Sequence, residues 1–181
     1  MNLILSYPFY IFFGILPSFI WLIFYLRRDV HPEPKSMILK IFFYGMLITL
    51  PAILFEVVFF SQMGKFKISP FLVGILNIFL GVALIEEFLK FLIIKEKVLN
   101  NPEFDEPVDA MIYMIIAGLG FAAGENIVIL ISTGNRILTS EFLFSLRLVF
   151  LGRIFEISLL RFLGATFLHA LASAIVGFFI G

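Results

Sequence analysis

Three apolar stretches of the 181-residue chain carry side chains able to do chemistry. Glu86 and Glu87 stand in Leu84-Ile85-Glu86-Glu87-Phe88-Leu89-Lys90. Glu125 and Asn126 follow Gly118-Leu119-Gly120-Phe121-Ala122-Ala123-Gly124, and His169 opens His169-Ala170-Leu171-Ala172-Ser173. Two carboxylate sites and an imidazole suit hydrolysis. Glu and His can bind a divalent metal, which lowers the pKa of bound water, while a second Glu acts as general base. A metal-free route also works: a carboxylate activates water directly and polar side chains stabilise the oxyanion. Ser/His/Asp catalysis fits less well, because Ser173 shares a helix with His169 and no Asp lies deep within a span. Glycine-rich phosphate loops and soluble zinc motifs are absent from the sequence.

Each stretch also has a purely structural reading. Lys90, at i+4 from Glu86 and i+3 from Glu87, can neutralise one carboxylate or simply mark a membrane edge. Small residues at 117, 118, 120, 122, 123 and 124 let a neighbouring helix approach closely, with Glu125 and Asn126 as hydrogen-bonding glue. His169 can join two helices, and Ser173, one turn on, can orient its ring. His31 lies in a loop and is assigned no chemistry. Against these readings stands the cost of placing a carboxylate at bilayer depth, at least about 2–3 kcal/mol each. Three such glutamates and a histidine in one chain point to a functional polar site.

The elements that must position this site are membrane helices. The chain is 61% hydrophobic with mean hydropathy +1.09 and only 14% charged, too little charge for the exterior of a soluble domain. Phe, at 25 residues, suits packing between helices and against lipid. The zero net charge offers nothing to a nucleic acid, and the absence of Cys removes disulfides and thiol chemistry. The N-terminus lacks a basic n-region and a small-residue cleavage site, so its first apolar stretch is expected to be retained.

A hydrocarbon core needs roughly 20 apolar residues per helix. Stretches at about 4–26, 37–60, 70–96 and 108–132 qualify, and a fifth runs from about 162 to 181. The region 140–160 is apolar (Leu143, Phe144, Leu148, Phe150, Ile154, Phe155) but interrupted by Arg147, Arg153 and Glu156. It reads as a sixth span or as a helix at the interface. One unbroken helix over 140–181 would be about 60 Å long, so a break is expected at Gly152 or Gly164. The fold class is therefore all-α, a polytopic transmembrane bundle of five spans plus one ambiguous helix. Pro8 and Pro17 are expected to kink the first span.

Basic residues set the orientation. Arg27, Arg28, Lys35 and Lys40 flank the first loop, and Lys90, Lys95 and Lys97 the third, against Lys65 and Lys67 in the second and Arg136 in the fourth. Loops one and three are expected to be cytoplasmic and the N-terminus outside.

Four stretches resemble the PrsW family of intramembrane proteases, relatives of the CAAX prenyl proteases and of the scaffold subunit of γ-secretase. Arg27-Arg28-Asp29-Val30-His31-Pro32-Glu33-Pro34-Lys35 resembles the signature that follows that family's first span. Glu86-Glu87-Phe88-Leu89-Lys90 matches its EExxK motif, and Asp109 to Asn126 resembles the helix ending in FAxxEN. Arg161 with His169-Ala170-Leu171-Ala172-Ser173 resembles its HxxxS motif. The order and spacing of these motifs cover nearly the whole chain.

The resemblance implies one membrane-embedded protease-like domain over 1–181, in a prokaryotic cytoplasmic membrane. It implies cleavage of a single-span membrane protein such as an anti-sigma factor, starting a stress response. Glu86 or Glu87 would activate water. Glu125, His169 and Glu87 would hold a metal, conditionally zinc, or position water and substrate, with Lys90, Asn126, Arg161 and Ser173 in support. The family also carries a further helix with an HGxYD or HGxYN motif. The chain ends at Gly181, so that helix is expected to be lacking and a metal would have few imidazoles. A non-catalytic scaffold of the same fold is the alternative. A transporter is disfavoured, since the sequence has neither an internal repeat nor paired broken helices.

Depth is the remaining difficulty. Glu86 lies about 16 Å and Glu125 about 25 Å from the same end of their helices, a mismatch of about 9 Å. His169, about seven residues into a span starting near 162, meets Glu125 if 140–160 does not cross and Glu86 if it does.

Overall fold

The computed structural model describes residues 3–28, 31–66, 68–102, 104–139 and 146–181, with side chains for 7–28, 31–66, 68–102, 104–133 and 152–181. Asp29, Val30, Lys67 and the stretch 140–145, with Leu143 and Phe144, lie outside the described residues, as do the side chains of Arg136, Arg147, Leu148 and Phe150.

The described residues form helices and no strand. These are α1 (Leu3–Leu26), α2 (Lys35–Leu47), α3 (Thr49–Met63), α4 (Pro70–Leu76), a π-helical segment (Asn77–Leu84), α5 (Ile85–Lys97), α6 (Pro107–Thr139), α7 (Leu146–Leu163) and α8 (Ala165–Ile180). They combine into five runs long and apolar enough to cross a bilayer: Tyr7–Leu26, Lys35–Met63, Pro70–Lys97, Pro107–Thr133 and Gly152–Ile180. Their outer faces are paved with exposed Phe and Leu, among them Phe71, Phe79, Leu54, Phe178 and Phe179. An apolar surface of this extent requires lipid around it.

Helix α6 is the hub, and α1, α2 and α8 pack along it. Its small residues explain why. Gly120 lies against the Phe42 carbonyl, Gly124 against Met46 and Thr49, and Gly118 against the Ser173 hydroxyl and the His169 carbonyl, while Gly45 of α2 meets the Ala117 carbonyl. A Cβ at any of these glycines would collide with the facing helix. Without a hydrophobic drive between helices in lipid, such close approach is what holds a bundle. Thr49 adds a hydrogen bond from its hydroxyl to the Phe121 carbonyl at 3.2 Å. Trp21 ties α1 to the α7–α8 junction: its indole N–H donates to the Phe162 carbonyl at 2.9 Å and its ring lies against Phe162 and Phe167.

Three runs are broken inside the membrane. The second is interrupted at the single residue Ile48, between α2 and α3, and the third passes through the π-helical segment just before Glu86. The fifth breaks at Gly164, where Gly164 still donates to Leu160 and Leu168 to Gly164, so hydrogen bonding continues through the junction. Gly152 stays inside α7. The described part of the ambiguous 140–160 region is thus α7, which joins the last span across Gly164. In the first run α1 continues through both Pro8 and Pro17.

Loops one and three share a face. His31 Nδ1 meets Glu106 at 2.9 Å, and Tyr113 donates to Glu33 at 2.6 Å. Gly181 reaches the same face, against Pro107.

Candidate active site

The four principal candidates come from three runs and meet in one hydrogen-bonded cluster. Helix α5 supplies Glu86, Glu87 and Lys90, α6 supplies Glu125 and Asn126, and α7–α8 supplies Arg161, His169 and Ser173. Lys90 is at its centre and completely buried. Its ammonium donates to Glu87 Oε1 at 2.7 Å and Glu86 Oε2 at 3.4 Å, lies 3.2 Å from His169 Nδ1, and sits 4.4 Å from the centre of the Phe121 ring. Three ammonium protons face three acceptors, and the ring face adds a cation–π contact. Lys90 therefore belongs to the site, not to a membrane edge, and it leaves the tally of charges that orient the third loop.

The imidazole bridges the two carboxylate sites. His169 Nε2 is 3.2 Å from Glu125 Oε2 and Nδ1 is 3.4 Å from Glu86 Oε2. One tautomer satisfies the network: Nε2–H donates to Glu125, and Nδ1 accepts from Lys90. The ring spans the offset in depth between α5 and α6. It can do so because α7 runs on into α8 across Gly164, which puts His169 well inside a continuous run and not seven residues from an edge.

Both oxygens of Glu87 are engaged, one by Lys90 and the other by Ser173, whose hydroxyl donates to Oε2 at 2.9 Å. Glu86 keeps one oxygen outside the bonds found among the described residues. Arg161 donates to both Glu125 and Asn126. Asn126 in turn donates to the Gly14 carbonyl at 3.3 Å and to Thr166 at 3.2 Å, so it anchors Arg161 to α1 and α8. Glu125 is the most exposed carboxylate of the set, at 28%, against 8% for the Glu86 side chain.

The donor types suit a divalent cation. Glu86, Glu87 and His169 each offer a ligand atom, and the three lie within 4.8 Å of one another. Glu125, expected from the sequence among the ligands, lies outside that group and takes the opposite ring nitrogen. That is the place of the carboxylate that orients a metal-bound histidine. The acceptors a metal would use are those that carry the Lys90 protons, so ammonium and metal ion compete for one position.

Glu56 of α3 escaped the reading of motifs. It lies on a helix that packs against α5 and α6, the two helices that carry the cluster's glutamates. The signal was present: Glu56 is an acidic residue inside a span, spaced by four and seven residues from Ala52 and Thr49, the buried face of α3.

Comparison with known proteins agrees with the motifs. A family model described as PrsW family intramembrane metalloprotease matches residues 33–181. Protease PrsW of Geobacillus kaustophilus (strain HTA426) is 32% identical over 158 residues, 87% of this chain and 59% of that protein. Protease PrsW of Bacillus subtilis (strain 168) is 30% identical over 172 residues, 93% of this chain and 66% of that protein. Protease PrsW of Oceanobacillus iheyensis is 28% identical over 168 residues, with the same two shares. The chain thus spans about three-fifths to two-thirds of the length of these relatives. No solved structure matches it. With its motifs gathered at one intramembrane cluster and a family match over most of its length, the chain belongs to the PrsW family of intramembrane metalloproteases.

Proposed function

We propose that the protein is an intramembrane endopeptidase that hydrolyses a single-span membrane protein, such as an anti-sigma factor whose loss starts a stress response. The observation that carries this reading is the convergence of Glu86, Glu87 and His169 on one buried cation, Lys90, with Glu125 on the other nitrogen of the His169 ring, inside a bundle of the PrsW family.

Glu86 is the general base, since it retains a carboxylate oxygen for water while Glu87 is held at both oxygens. Glu86 takes a proton from water, the resulting hydroxide adds to the scissile carbonyl, and the proton passes to the departing amine as the C–N bond breaks. Lys90 lies beside the base, where its positive charge favours the negative charge that develops on the carbonyl oxygen. Glu125 fixes the ring tautomer, Arg161 holds Glu125, and Ser173 holds Glu87. A zinc ion, if bound, would be held by Glu86, Glu87 and His169, and would supply polarisation of water and of the carbonyl. Loops one and three lie on the cytoplasmic face and the N-terminus outside, by the excess of Arg and Lys on those loops.

Reconstitution with single-span substrates tests the assignment. Wild type is expected to cleave, Glu86→Gln and His169→Ala to lose at least about 100-fold in rate, the scale of a lost general base. Equal rates in wild type and both variants would overturn it. Cleavage that survives thorough chelation would remove the metal and leave the glutamate chemistry.

A further inference from the structure

A second concavity lies on the other flank of α8. Between α1, α6 and α8 is a cleft of about 430 Å³, walled by Leu22, Leu26, Ile112, Ile115, Leu171 and Ala174. Trp21 clamps α1 to the α7–α8 junction at Phe162 and Phe167, and the cleft opens one helical turn beyond that clamp. From Leu171 to Gly181, at the loop-one face, is about 15 Å of helix, half of a hydrocarbon core about 30 Å thick. The apolar walls of the cleft thus lie within about the depth of one leaflet.

Its mouth is polar and basic. Tyr25, Arg28, His31 and Glu106 form the rim. The Glu106 carboxylate is engaged by His31 at 2.9 Å. Arg28 is exposed, lies 5.0 Å over the Phe24 ring and has no acidic partner among the described residues, and Arg27 beside it is exposed too. A guanidinium at headgroup level above an acyl-sized slot matches a phosphate ester joined to a hydrocarbon chain.

We propose that this cleft is a binding site for one anionic phospholipid, its phosphate on Arg28 and one acyl chain between α1, α6 and α8. Occupancy would fill the gap that α1 and α8 leave below the Trp21 clamp and so brace α8, which carries His169 and Ser173 on its other side. The proposal does not depend on hydrolysis, because the lipid site and the glutamate cluster share no residue.

Native mass spectrometry of the delipidated protein, titrated with phosphatidylglycerol or phosphatidylcholine, tests it. One phosphatidylglycerol is expected to be retained in preference to phosphatidylcholine. Arg28→Ala is expected to weaken that retention about fivefold, the effect of one surface cation on an anionic lipid. Ala174→Trp, which fills the slot, is expected to abolish it, with Leu171→Phe as a milder substitute if that variant folds poorly. Lys65→Ala, on the opposite face, is expected to change nothing. Equal retention of the two lipids, no change in Arg28→Ala, an equal loss in Lys65→Ala, or a dimer whose second copy occupies the cleft would each overturn the proposal.

Discussion

Lys90 decides how the cluster works. Two carboxylates buried side by side repel each other unless a cation compensates them, and Lys90 does so with no exposure to solvent. Removing one partner of a buried ion pair leaves the other uncompensated, at about 3–5 kcal/mol. Lys90→Met is therefore expected to unfold at markedly lower denaturant than wild type. Lys90→Met combined with Glu87→Gln is expected to recover part of that loss, and equal stability of the two variants would contradict the shared-cation account. Ser173→Ala removes one hydrogen bond to Glu87, worth about 1 kcal/mol, so its cleavage rate is expected to fall only severalfold, far less than in Glu86→Gln. At this scale the sequence exposed Glu86, Glu87, Glu125 and His169, because an ionisable residue among apolar ones stands out. It hid the function of Lys90, because a lysine at i+3 and i+4 looks the same whether it snorkels outward or turns inward. Glu56 went unnoticed because it belongs to none of the motifs.

The elements place these residues by close approach along α6. Gly118 is the sharpest case, since a Cβ there would come within 2.5 Å of the Ser173 hydroxyl and 3.0 Å of the His169 carbonyl. Gly118→Val is expected to push α8 away from α6, destabilising the bundle by about 1–3 kcal/mol and separating His169 from Glu125. A thermal melt with a parallel activity assay checks both effects, and an unchanged melt would contradict the packing account. The five runs were legible as apolar blocks of the right length. The breaks within them were less so. Pro51 has no N–H for the Leu47 carbonyl, which suits an interruption at Ile48, and Gly81 lies inside the π-helical segment, but neither signal by itself separates a break from a continuous helix. π-helical turns recur at functional sites because they shift the register of the side chains that follow. Here the shift comes immediately before Glu86 and Glu87. Gly164 was one of two glycines flagged for a break, and local backbone geometry at that position, φ −107° and ψ −87°, is what selects it over Gly152.

For the whole molecule, loops one and three and Gly181 share one face, and the chain has no cysteine, which makes sidedness directly measurable. Single cysteines at Arg27 and Lys97 are expected to resist a membrane-impermeant thiol reagent in intact cells, while one at Lys65 reacts. The reverse labelling would invert the orientation proposed above. The central claim, that the buried cluster is a hydrolytic centre, is tested most directly by the position of the cut. Glu86 lies about 16 Å along α5 from Lys97, within the hydrocarbon core. Mass spectrometry of products from a reconstituted single-span substrate is expected to place the cut inside the span at that depth, with no product from Glu86→Gln. A cut in the substrate's aqueous portion, or the same product from Glu86→Gln, would contradict it.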